Sequence, residues 1–119
     1  METKAALKAL SALAHDTRLA VYRYLVEVGP EGVHAGAIAE RLGLPGATLS
    51  FHLKELSHAE LVESQQEGRF VRYIANLTTV QAMVAYLTET CCGGRPEMCV
   101  PVATPLPLPM VKRKPARPQ

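Results

Sequence analysis

All three cysteines of the 119-residue chain fall within nine positions: Cys91, Cys92 and Cys99. Thiolates are soft donors and suit soft, thiophilic ions. Three of them within reach of one another match the trigonal pyramid of trivalent arsenic or antimony. Structural zinc wants four ligands, and the fourth would come from a distant His or a second subunit. Adjacent side chains on a helix point about 100° apart. Cys91 and Cys92 therefore meet one ion only where a helix ends or unwinds. Gly93 and Gly94 permit that, and the following loop lets Cys99 fold back. Other readings stay open on the residues alone: cadmium, lead or mercury as the ion, a strained vicinal disulfide that senses oxidants, or bystander thiols.

A second set of residues suits a different task. Thr48, Ser50, His52 and Lys54 lie largely off the stripe made by Leu49, Leu53 and Leu56. Short polar side chains on an exposed helix face fit base edges and phosphates in a major groove. Lys54 and Arg41 would neutralise phosphates. Arg69 and Arg72 would do the same from a neighbouring hairpin, or enter the minor groove. In isolation, such residues are more often plain solvated surface, so the surrounding elements decide. The four histidines form no pair with metal-ligand spacing. His15 precedes a helix and reads as local structure, His34 lies near a helix start within reach of a phosphate, and His58 reads as solvated or capping.

The elements follow from periodicity. Leu7, Leu10, Leu13 and Ala14 predict a helix from Lys4 to Leu13. A second helix begins after His15 or Asp16, with Asp16 as N-cap and Leu19, Tyr22, Leu25 and Val26 as its apolar face. Gly29-Pro30 stops it. A third spans Ala35 to Leu42, with Ile38 and Leu42 inward, and Gly43 fits the left-handed position that ends it. Leu44-Pro45-Gly46 is a tight turn into a fourth helix, Ala47 to His58. Two short helices joined by a Gly-containing turn make a helix-turn-helix. The period then changes to two. Leu61 to Gln66 and Arg69 to Ala75 read as strands joined by Glu67-Gly68. A last helix runs from Thr78 to Thr90, capped by Thr78 or Thr79, with Val80, Met83, Val84 and Leu87 at helical spacing.

That order, α-α-α-α-β-β-α, is mainly α with a small β-hairpin, a winged helix-turn-helix with an extra helix at each end. The first and last helices carry more apolar surface than so small a domain covers. Pairing Leu7, Leu10, Val80, Met83, Val84 and Leu87 across a two-fold axis would hide it, which predicts a homodimer through those helices. Residues 1–90 form the folded domain and 91–99 the cysteine-containing segment. Residues 100–119 read as a disordered, basic, Pro-rich tail, since seven of nine prolines lie from Pro96 onward.

Composition excludes more than it selects. Hydrophobic content of 48% and charged content of 20% are ordinary for a globular protein. The net charge of +2 overstates basicity, because Lys112, Arg113, Lys114 and Arg117 sit in the tail. Residues 1–111 carry nine bases against eleven acids, a net of −2. DNA binding must therefore rest on local pattern, with Glu55, Glu60, Glu63 and Glu67 making it salt-sensitive. No apolar run approaches the ~18 residues of a membrane span, and Met1 to Leu10 lacks a signal-peptide core. The expected location is the cytoplasm, without membrane contact, where thiols stay reduced. No Gly-rich phosphate loop or Walker sequence supports an enzyme. A winged-helix interaction module without DNA activity remains the other class.

The segment "LSALAHDTRLAVYRYL" resembles the opening of ArsR/SmtB repressors, with Tyr22 to Leu25 departing slightly from their pattern. "AIAERLGLPGATLSFHLKELSHAELVES" resembles their DNA-binding core, with "S-x-H-L-K-x-L" the most specific piece, and "EGRFVRYIA" resembles their wing. The resemblance covers about residues 5–90. It implies a dimeric repressor that binds operator double-stranded DNA and leaves it when an inducer binds, with Thr48, Ser50 and His52 at the contact positions. Members with a "C-x-C" arsenic site carry it in the third helix, which here has no cysteine. Zinc-sensing members place His and acidic ligands along the last helix, and "TTVQAMVAYLTET" has no His and no Asp. Cys91, Cys92 and Cys99 look like the arsenic-sensing group with a vicinal pair plus a third Cys after that helix. The implied inducer is arsenite or antimonite.

Overall fold

The structure, a computed structural model, describes residues 1–89 together with Gly93. Its elements are α1 (Thr3–Leu13), α2 (Asp16–Val28), β1 (Val33–His34), α3 (Ala35–Leu42), α4 (Gly46–His58), β2 (Val62–Glu67), β3 (Phe70–Ala75) and α5 (Leu77–Thr88). The winged helix-turn-helix expected from the sequence is present. Gly43 takes the left-handed conformation after α3, and Leu49, Leu53 and Leu56 of α4 are buried. With Val21, Leu25, Ile38 and Leu61 they make the centre of the core.

α1 leaves outside the two leucines, Leu7 and Leu10, expected to pair subunits. Ala6, Ala9 and Ala12 are buried, whereas Leu7 and Leu10 point to solvent and only Leu13 packs partly on the core. The two stripes are offset by one residue and share the same period. The alanines face inward where α1 lies against α2, α4 and α5. On α2 the inward set is Val21, Tyr22 and Leu25, and Leu19 and Val26 are exposed, contrary to their expected place on the apolar face.

Two caps also differ from expectation. His15, not Asp16, holds the N-cap position of α2, and its Nδ1 accepts the Thr17 backbone N–H at 3.1 Å. Asp16 is the first helical residue and accepts the same N–H at 2.7 Å, so both side chains serve one donor. α5 is capped by Asn76, whose side-chain oxygen accepts the Thr78 N–H at 3.1 Å, rather than by Thr78 or Thr79. Asn76 has a second role, donating to the Glu60 carbonyl at 3.0 Å.

The sheet has three strands in the order β1-β3-β2, all antiparallel. The two-residue β1 went unforeseen. Val33 pairs with Tyr73 and His34 with Arg72, which ties the entrance of α3 to the central strand. Gly32 makes this approach possible: its φ is +72°, and a Cβ there would come within 2.7 Å of the Tyr73 carbonyl oxygen. The hairpin register ends at Glu67 opposite Phe70. The connecting pair is therefore Gly68-Arg69, one residue later than expected. Gly68 at φ +60° supplies the sign a primed turn needs at its first central position. Cys91, Cys92, Cys99 and the tail lie outside the described residues. Among the described residues no helix is long and apolar enough to cross a membrane.

Candidate nucleic-acid interface

At about 100° per residue, the burial of Leu49, Leu53 and Leu56 leaves Ala47, Phe51, Lys54 and His58 along the outward line of α4. Ser50 flanks that line on one side, Thr48 and Glu55 on the other. All but the half-buried Glu55 are exposed. Thr48, Ser50 and Lys54 make no hydrogen bond or ion pair to another described residue, so their polar atoms are available to a ligand. A helix that buries one stripe and leaves its hydroxyls and one ammonium free on the other is fit to enter a groove.

His52 departs from this pattern. It is 7% exposed and its Nδ1 accepts the Arg18 Nε–H at 3.1 Å. Its ring lies 4.8 Å from that of His15. Desolvation, then the charge of Arg18 and the neighbouring His15, holds its pKa below 6.5. His52 thus joins the start of α2 to the middle of α4 and presents no edge to a groove. The expected contact position is a packing position, because its helix angle falls at the margin of the buried stripe.

Reasoning from the sequence passed over Phe51 and Arg18. Phe51 is 55% exposed on the outward line of α4. The Arg18 guanidinium sits 5.6 Å from its ring centre, and the His52 ring meets it edge-on at 5.5 Å. The available signal was positional: Phe51 stands four residues from Ala47 and opposite the leucine stripe.

The wing arginines have unlike fates. Arg69 lies in the turn, exposed and unpaired among the described residues. Arg72 is fully engaged: Nε and Nη2 donate to the two carboxylate oxygens of Glu67 at 2.9 and 2.8 Å, and Nη1 donates to the Glu31 carbonyl at 2.6 Å. His34 Nε2 adds a 3.4 Å contact to Glu67. The Arg72 hydrogen bonds hold the Glu67 carboxyl below the usual range. Arg72, expected at the phosphates, instead fastens the hairpin to the loop before β1. Arg41 is exposed but leans on α2, 3.8 Å from Glu27 and 5.0 Å from the Tyr24 ring centre. His34 stands at the N-cap position of α3 without capping it, its ring 5.2 Å from Phe70.

The helices expected to pair subunits divide in the same way. Leu7 at 60% and Leu87 at 59% are well exposed, and Leu10 less so. Val84 is half-buried. Met83 is buried in its own domain, and Val80 packs partly on the same core. α1 and α5 are neighbours, joined by a hydrogen bond between the Thr3 and Tyr86 hydroxyls.

A helix-turn-helix domain family matches residues 13–65. An ArsR-like transcriptional regulator from Rhodococcus sp. RHA1 superposes with a TM-score of 0.63 at 28% identity, over 72% of this chain and 78% of that one. HlyU from Vibrio cholerae N16961 superposes with a TM-score of 0.60 at 31% identity, over 77% of this chain and 99% of that one. The transcriptional repressor SdpR of Bacillus subtilis is 32% identical over 53 residues, which is 44% of this chain and 59% of SdpR. The curated relatives are spanned only in part, from 19% to 63% of their length. Fold and matches together place the described residues in the winged helix-turn-helix class to which these transcriptional regulators belong. Within that class the chain is similar to an ArsR-like regulator in both fold and sequence.

Proposed function

We propose that the chain is a transcriptional repressor that binds operator double-stranded DNA as a homodimer and releases it when trivalent arsenic or antimony binds Cys91, Cys92 and Cys99. The observation that carries the DNA half is the outward face of α4, where Thr48, Ser50 and Lys54 stand exposed and unpaired beside a winged hairpin. Lys54 and Arg69 neutralise phosphates, and Thr48 and Ser50 reach base edges. The dimer rests on the apolar surface of α1 and α5, chiefly Leu7, Leu10 and Leu87.

The sensing half rests on the sequence. The three thiols begin three residues beyond Thr88, the last residue of α5. Gathering three sulfurs there reshapes the segment next to the proposed dimer seam and alters how the two α4 helices are spaced. The coupling is reciprocal, so bound DNA weakens inducer binding by the same factor, typically 5–150-fold.

Fluorescence anisotropy of the reduced protein on DNA from its own promoter tests both halves. Arsenite or antimonite should release the DNA, and the Cys91→Ser, Cys92→Ser double variant should bind DNA and stay bound when arsenite is added. Release by cadmium, lead or mercury alone, or only by an oxidant, reassigns the inducer. Failure to bind any promoter fragment removes the DNA half.

A further inference from the structure

α4 reads GATLSFHLKELSH and contains no Arg, Asn or Gln. Arg or Lys paired to guanine, and Asn or Gln paired to adenine, are the side chains that identify bases through two hydrogen bonds at once. α4 has Lys54 alone from that set, and it stands past the midpoint of the helix. The first turns of a recognition helix approach the base edges most closely. Here they offer the Ala47 methyl, the Thr48 methyl and hydroxyl, the Ser50 hydroxyl and the Phe51 ring. The chemistry presented at the front of α4 is therefore mostly apolar.

Both phenylalanines of the chain are outside the core. Phe51 is 55% and Phe70 61% exposed. A ring left in water on a small domain sacrifices burial, unless something else covers it. Phe51 is also braced: Arg18 stacks 5.6 Å from its centre and the buried His52 supports its edge. The brace spans from α2 to α4 and limits the ring's rotamers, so the apolar tip is held in place before any ligand arrives.

We propose that Phe51 reads the 5-methyl group of thymine in the major groove and is the main specificity-determining side chain of α4. This deepens the DNA-binding reading above and rests on it. The thymine methyl is the one apolar feature on a major-groove base edge, and an apolar side chain against it is the matching contact. Cytosine lacks that methyl and presents an amino donor which the ring cannot satisfy. Each half-site then holds an obligatory thymine beneath Phe51, and neighbouring positions read by Thr48 and Ser50 are more permissive, since a hydroxyl serves as donor or acceptor.

The test begins with duplexes selected from a random library by the full chain. Each thymine of the selected half-site is then replaced by deoxyuridine, which removes the methyl and nothing else. One thymine per half-site should stand out, its loss weakening binding about fourfold, as expected for one buried methyl. In Phe51→Ala that penalty should vanish, with the deoxyuridine duplex bound as the wild type binds it. Phe51→Leu, which keeps an apolar tip, should retain part of the penalty. The proposal is overturned if no thymine methyl matters, if Phe51→Ala keeps the full penalty, or if selected half-sites lack a fixed thymine. If the library yields no bound duplex, the DNA-binding reading falls and this inference with it. Unchanged thermal unfolding of Phe51→Ala would show that the effect belongs to the interface, because the ring is largely outside the core.

Discussion

α4 and the β2–β3 hairpin are both candidate DNA-facing regions, and the polar side chains expected to meet DNA differ between them in what they are already bound to. On α4, Thr48, Ser50 and Lys54 have no partner among the described residues. On the hairpin, Arg72 gives one donor to each carboxylate oxygen of Glu67 and a third to the Glu31 carbonyl, and of its two arginines only Arg69 is without a partner among the described residues. Two arginines three positions apart thus do different work. One is held inside the protein's own network and one is open to a phosphate. Residue type sets what a side chain is able to bind, but neighbours decide whether it is available. A carboxylate placed five residues away along a hairpin competes with any phosphate for Arg72.

The sharpest way to break the contrast is from inside α4. Leu53→Ala, in the buried stripe, should cost about 2–5 kcal/mol of stability by chemical denaturation, whereas Thr48→Ala on the outer face should leave the unfolding midpoint nearly unchanged. Next, Arg72→Ala should lower the thermal midpoint, because the Glu67 carboxylate and the Glu31 carbonyl lose their donor. Arg69→Ala should not move the midpoint. If Arg72→Ala left stability untouched and only weakened DNA, the division between the two arginines would fail. On DNA, Arg69→Ala should flatten the salt dependence of binding by about one unit of slope per protomer, uniformly across sequences.

The smallest effect concerns the one α4 residue that behaves like Arg72. His52 is buried and engaged by Arg18, and its pKa lies below the ordinary 6.5. A depressed histidine pKa means that the unfolded chain binds a proton before the folded one does. Stability is therefore complete above about pH 6.5 and declines as pH falls from there toward the folded value. Comparing wild type with His52→Phe across that window should show a shallower decline in the variant. Equal slopes would mean that His52 is not the group responsible.

Much of the architecture was readable in advance, and the misses have physical causes. The helix-turn-helix was legible because Leu49, Leu53 and Leu56 have one helical period and Gly43 marks a left-handed stop. On α1, Leu7 and Leu10 were legible as apolar surface left over by the domain, whereas the inward stripe of Ala6, Ala9 and Ala12 was not, because alanine carries little hydrophobic signal. β1 escaped because two residues carry no period at all, and it exists only through its pairing with β3. The turn was placed one residue early since Glu67-Gly68 and Gly68-Arg69 both contain the glycine, and only the register separates them. At the candidate interface, Thr48, Ser50, Lys54 and Arg69 were legible as exposed polar side chains. The engagement of Arg72 by Glu67 and the burial of His52 against Arg18 are tertiary facts that no local spacing reveals. Phe51 was overlooked because an aromatic residue is ordinarily assigned to a core.

β1 gives the sheet a further consequence. It runs directly into α3, and β2 follows closely on α4, so one three-stranded sheet grips the helix-turn-helix at both ends. The close passage of Gly32 over β3 and the reach of Arg72 to Glu31 tighten that grip. The wing is therefore no independent flap. It forms a single lever arm with α4, with its fulcrum on α1 and α5 if those helices pair two subunits. A slight rotation at such a fulcrum is multiplied by the length of the arm and displaces α4 and the wing together.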